Sequence, residues 1–63
     1  MATAAEIKKR IKKYTSCYFL REGGNHEIWV NPVTGAKFQI PRHPSQEVKT
    51  GTAISIYKAA GLM

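Results

Sequence analysis

The sequence predicts an α+β fold with a helix, three antiparallel strands and a second helix in the order α-β-β-β-α. Three observations carry this. Apolar residues near both ends recur at helical spacing, short breaker-free apolar runs fill the middle, and glycine or proline turns separate those runs. A chain of 63 residues is one small domain, and at this size only roughly 60% of the unfolded chain's surface is buried. Any site is therefore expected to be an open surface of a few side chains rather than an enclosed pocket.

The first helix is expected to start near Ala4, because Thr3 and Glu6 match the S/T-x-x-E capping box. Ala4, Ile7, Ile11 and Tyr14 fall at i, i+3, i+7 and i+10, one helical face. Glu6 and Arg10 stand at i, i+4 in the favourable order. Thr15-Ser16 ends the helix. Cys17–Arg21 reads as the first strand and Gly23-Gly24 stops it. His26–Val30 is the second strand, Asn31–Gly35 a strong proline- and glycine-containing turn, and Ala36–Ile40 the third strand, which Pro41 terminates.

Pairing Val30 with Ala36 sets Ile28 opposite Phe38 and His26 opposite Ile40. Residues directly opposite share a face. The core face then carries Ile28, Val30, Phe38 and Ile40, and the outer face Glu27, Trp29, Lys37 and Gln39. His26 falls at the rim of the apolar side, and a slip of one residue moves it to the other face. Arg42–Glu47 is a polar connection. The last helix starts near Gly51-Thr52 with Thr50 or Thr52 as its cap. Its stripe is Ala53, Ile56, Tyr57 and Ala60, and Gly61 stands where a C′ glycine ends it.

Ten Lys+Arg against four Asp+Glu leave a net charge of +6, which points to a polyanionic partner, most simply nucleic acid. The single cysteine, Cys17, excludes an intrachain disulfide and is expected in the core. Two histidines and no aspartate argue against a dedicated metal site. No small-molecule cofactor is expected. The first residues lack the apolar run of a signal peptide, and no segment approaches membrane-spanning length. The expected setting is cytoplasmic, with no membrane partner.

His26 is the leading candidate for chemistry. Histidine is the side chain whose ordinary pKa lies closest to neutral, and this one follows a flexible glycine turn in a basic chain. Read from the residues alone it is either a proton-transfer group or a strand-end histidine bonded to backbone. Gly24 and Asn25, beside it, and Arg21 and Arg42 are candidate nucleic-acid contacts, with ordinary surface charge the alternative for the two arginines. Lys8, Lys9, Lys12 and Lys13 form a stripe that is either a solvated face or a phosphate-binding one. Trp29 is a candidate to stack on a base or to anchor a partner protein, or is a partly covered residue of the sheet. His43 is a candidate partner contact or turn residue, with a second proton-transfer role also open.

Three strings now group together: R-E-G-G-N-H at Arg21–His26, I-P-R-H-P at Ile40–Pro44, and K-T-G-T-A-I-S-I-Y-K-A-A-G-L at Lys49–Leu62. Their order and spacing over nearly the whole chain resemble the HicA toxins of bacterial toxin–antitoxin pairs. The family pattern is R-x-x-G-S-H, an apolar strand, V-P-R-H, and K-x-G-T-L-x-x-I-L-x-x-A-G-L. Asn25 stands where serine is common, Cys17 where an aromatic is frequent, and Ala53 and Tyr57 where leucines are. The resemblance implies a single HicA-like domain over residues 1–63 with a fold like that of double-stranded-RNA-binding domains. It has a three-stranded antiparallel sheet with both helices packed on one face. It further implies metal-independent endoribonuclease cleavage of mRNA, a catalytic role for His26, and neutralisation by a HicB-type antitoxin that covers the site. The alternative is an RNA-binding module of the same fold without catalysis.

Overall fold

The computed structural model describes residues 2–63, and Met1 lies outside them. The first helix, α1 (Ala4–Tyr14), begins as its capping residues dictate. The Thr3 hydroxyl accepts from the Glu6 backbone N–H at 3.3 Å and donates to the Glu6 carboxylate at 3.2 Å. Glu6 is thus engaged with Thr3, while Arg10 lies over the Tyr57 ring, 5.8 Å from its centroid. Ala4 and Ala5 donate their free first-turn N–H groups to the carbonyls of Gln46 and Pro44 at 2.9 and 3.0 Å. The same region adds a small ribbon that the sequence did not announce. Strand β1 (Ala2–Thr3) pairs antiparallel with β5 (Glu47–Val48). Two residues per strand are too few for alternation to register.

The main sheet runs β2 (Tyr18–Gly23), β3 (His26–Val30) and β4 (Lys37–Pro41), antiparallel with β3 central. The second helix, α2 (Thr50–Ala60), closes the α-β-β-β-α order. Its N-cap is Lys49, with no side-chain cap bond, so neither Thr50 nor Thr52 caps it. Gly61 ends it in the left-handed conformation, φ 88°, as expected.

Register is where structure and sequence part. Asn31 N–H donates to the Ala36 carbonyl at 2.8 Å, which closes the turn one residue later than expected. Val30 then pairs with Lys37, Trp29 with Phe38, Ile28 with Gln39, Glu27 with Ile40 and His26 with Pro41. Every β3 side chain changes face relative to the expectation. Trp29, expected outside, is 2% exposed and packs with Ile7, Ile11, Phe38 and Ile40. Ala53, Ile56 and Ala60 of α2 join the same cluster, so both helices cover one face of the sheet. Ile28, Val30 and His26 turn to the opposite face. The physical reason is size. An indole buries about 150–250 Å², which at about 25 cal/mol per Å² stabilises by roughly 4–6 kcal/mol. Neither Ile28 nor Val30 alone offers as much beneath the helices.

Other elements follow the expectation more closely. Cys17 is buried, and its thiol donates to the Ala60 carbonyl at 3.4 Å. Tyr14 is an exception on α1: at 62% exposed it lies outside the core. Asn31 is the one buried polar side chain among the described residues. It donates to the Ala59 carbonyl at 3.1 Å and accepts from Val33 N–H at 3.0 Å, tying the turn to the end of α2.

Unfolding measurements test this assignment of inside and outside. Trp29→Ala is expected to cost roughly 3–5 kcal/mol in urea unfolding. Tyr14→Ala is expected to stay within about 0.5 kcal/mol of the parent. Equal, small losses would contradict the placement of Trp29.

Candidate functional site

Gly23 and His26 pair across a two-residue loop, Gly24-Asn25. Gly24 has φ 72° and no non-glycine residue among the described residues has positive φ, so only the first loop position is left-handed, as a type II′ hairpin requires. Gly23 is needed for space instead: a Cβ there would lie 2.9 and 3.0 Å from the Ile28 side chain. The turn is held from its far side by Arg42, which follows β4. Its backbone N–H donates to the Asn25 carbonyl at 3.1 Å, and its guanidinium donates to the Gly24 carbonyl at 3.3 Å. The guanidinium also stands 3.7 Å from the Glu22 carboxylate, an exposed and therefore weak pair.

A bulge in β2 decides where Arg21 points. Phe19 pairs with Trp29, but the next pair is Arg21 with Ile28, leaving Leu20 as the extra residue. Without that insertion Arg21 would share the helix-covered face. With it, Arg21 is exposed on the outer face that His26 and Ile28 share.

His26 is half-buried at the start of β3, and its ring makes no hydrogen bond to another described residue. It borders a groove of about 420 Å³ between the β4 edge and α2, with Lys37, Gln39, Pro41, Thr52 and Ser55 around it. The buried Phe38 and Ile56 form its base. A free imidazole at the end of an open groove can exchange a proton with a bound ligand. A strand-end histidine tied to backbone could not do so as readily.

The lysine stripe is elsewhere. Lys8 and Lys12 border a separate groove of about 490 Å³ with Tyr18, Phe19, Glu27 and Trp29. Lys8 is engaged with the Glu27 carboxylate at 2.9 Å, both side chains less than one-fifth exposed. Lys12 lies over the Trp29 ring, 5.8 Å from its centroid. Lys9 and Lys13 are exposed on another side of α1, beside Glu6, Arg10 and Tyr14. None of the four borders the His26 groove.

The structure therefore gathers Gly24, Asn25, Arg42 and His26 at one end of the sheet, with Arg21 on the same face as His26. It does not bring the lysines to them. Trp29 is too buried to offer a stacking face, though its Nε1–H donates to Glu27 at 3.1 Å and Phe19 packs edge-on against it. Three consecutive exposed apolar side chains, Tyr18, Phe19 and Leu20, lie instead on the free β2 edge. His43 is exposed, and its carbonyl accepts from Gln46 N–H at 3.1 Å in the connection after β4. Of the groove residues, Lys37 and Gln39 were expected only on the outer sheet face, Thr52 only as a possible helix cap, and Ser55 in no role. Their signal was present, as the polar half of β4's alternation and as an i, i+3 pair opposite the α2 apolar stripe.

The family description "HicA toxin of bacterial toxin-antitoxin" matches residues 4–62, nearly the whole chain. The chain belongs to the HicA toxin family. Membership makes it a toxin of a toxin–antitoxin system and implies an antitoxin partner. No curated protein and no solved structure gives a significant match. In this HicA chain, no helix among the described residues is long and apolar enough to cross a membrane.

Glu27 has a polarised setting. Burial alone would raise its carboxyl pKa. Hydrogen bonds from Lys8 and Trp29, with the charges of Lys8 and Lys12, outweigh that and hold it below the usual carboxylate value. A depressed folded-state pKa adds stability that is fully present above the unfolded value, about 4.3, and is lost as pH falls through the folded value. Glu27→Gln is accordingly expected to be less stable than the parent by roughly 1 kcal/mol at neutral pH. Urea midpoints should converge as the solution is acidified past the folded value. A gap that persists or widens in acid would contradict this.

Proposed function

We propose that this HicA-family toxin is a metal-independent endoribonuclease that cleaves mRNA by proton transfer through His26. We propose further that a HicB-type antitoxin neutralises it in the cytoplasm. The observation that carries the reading is the ring of His26, without a hydrogen-bond partner among the described residues, at the end of an open groove beside the glycine turn. Family membership and the net charge of +6 support it.

RNA brings its own nucleophile, the 2′-hydroxyl next to the scissile phosphate. In the proposed step His26 takes the 2′-hydroxyl proton, the 2′-oxygen bonds to phosphorus, and the bond from phosphorus to the 5′-oxygen breaks. The leaving oxygen takes a proton from water, to which the groove is open. The products are a 2′,3′-cyclic phosphate and a 5′-hydroxyl end. A positioned base contributes typically 10²–10⁴-fold. The Gly23-Gly24 backbone allows close approach of a phosphate, and Arg21 and Arg42 supply positive charge as it becomes more negative. The exposed Lys9 and Lys13 act at longer range, raising the encounter rate with RNA through the overall field. A non-catalytic RNA-binding module has the same fold and charge, and the fate of His26 separates the two.

Purified protein incubated with labelled single-stranded RNA and EDTA is expected to cleave it. His26→Ala should stay folded and bind RNA but lose about 10²–10⁴-fold in rate, while His43→Ala should cleave at the parent rate. Undiminished cleavage by His26→Ala would remove that residue from the chemistry. Binding without cleavage by the parent protein would establish the module reading.

A further inference from the structure

The groove beside His26 has a composition that the cleavage step alone does not require. It runs along the free β4 edge, where Lys37, Gln39 and Pro41 alternate on the same face and pair with Val30, Ile28 and His26. Across from them stand the hydroxyls of Thr52 and Ser55, three residues apart on α2. Phe38, Ile56 and Ala59 supply the apolar surface between. Among the described residues, the side chains of Lys37, Gln39, Thr52 and Ser55 make no hydrogen bond or ion pair. Lys8, by contrast, is engaged with Glu27.

From Pro41, level with His26, to Lys37 is four residues along a strand, about 13 Å at ~3.3 Å per residue. We propose that this groove is the substrate subsite for the two nucleotides that follow the cleaved phosphate along the strand. This assignment rests on the ribonuclease reading for the position of that phosphate. One phosphate lies at His26, the next two nucleotides run along β4, and Lys37 meets the phosphate beyond them. The apolar surface takes the face of the base or sugar. Gln39, which offers both a donor and an acceptor, and the Ser55 hydroxyl meet the base edge. Single-stranded nucleic acid is held in this way, by cations along the backbone and neutral contacts to the bases. The groove has no carboxylate in its lining, so nothing there opposes a phosphodiester chain.

The test uses a mixed-sequence 2′-O-methyl RNA hexamer, which lacks the nucleophile and so reports binding without cleavage. Amide shifts in ¹⁵N-labelled protein are expected at Lys37, Gln39, Thr52 and Ser55. Lys37→Ala, at an exposed position, should weaken binding roughly 5- to 10-fold for all sequences and reduce the log–log salt slope by about 0.7, one phosphate contact on a single strand. Gln39→Ala should leave the salt slope unchanged but alter the preference among hexamers that differ at one base. Shifts confined to the Lys9 and Lys13 side of α1, variants that bind as the parent does, or no binding by the parent would each overturn the subsite. His26-dependent cleavage together with any of those results would leave the ribonuclease reading standing and remove only this assignment.

Discussion

The burial of Trp29 beneath the helices is the constraint on which the other placements depend. A strand has two faces, and β3 offers Trp29 with Glu27 to one and His26, Ile28 and Val30 to the other. Once the indole packs against Ile7, Ile11 and Phe38, the histidine must lie on the opposite face. That sends His26 away from the helix-covered core, to the end of the sheet where β4 and α2 leave a groove. The same choice brings Glu27 under α1, where Lys8 meets it at 2.9 Å and the Trp29 N–H completes its hydrogen bonding. Packing and site geometry are thus one decision.

The two hairpin turns carry that decision in opposite ways. The turn from Asn31 to Ala36 sets the register by its length, with Asn31 bonded at both its backbone and its side chain. The Gly24-Asn25 turn sets the approach to His26, with Arg42 gripping two of its carbonyls. The Leu20 bulge then corrects the phase of β2, so that Arg21 emerges on the same face as His26. A single extra residue in an edge strand changes which side a cation serves.

Much of this was legible in the sequence. The α1 start follows from Thr3 and Glu6, the limits of β3 from the glycines and Asn31, and the end of α2 from Gly61. The register was not legible, because H-E-I-W-V satisfies alternation either way: Ile28 with Val30 looks like a core pair until the larger Trp29 competes for the same space. The lysine stripe misled for a related reason. Spacing places Lys8, Lys9, Lys12 and Lys13 together on a helix. Whether they face RNA depends on tertiary neighbours such as Glu27 and Trp29, which spacing does not reveal. The groove residues of β4 and α2 come together only through packing of elements remote in sequence.

In the proposed mechanism a positively charged surface draws RNA in, a glycine turn lets its backbone approach, and His26, without a hydrogen-bond partner among the described residues, starts attack by the RNA's own 2′-hydroxyl. The end groups left on a defined RNA test that claim most directly. Mass spectrometry of the products should show a 2′,3′-cyclic phosphate on the upstream fragment and a 5′-hydroxyl on the downstream one. A 3′-hydroxyl with a 5′-phosphate would mean that water, not the ribose, was the nucleophile, and would contradict the role given to His26.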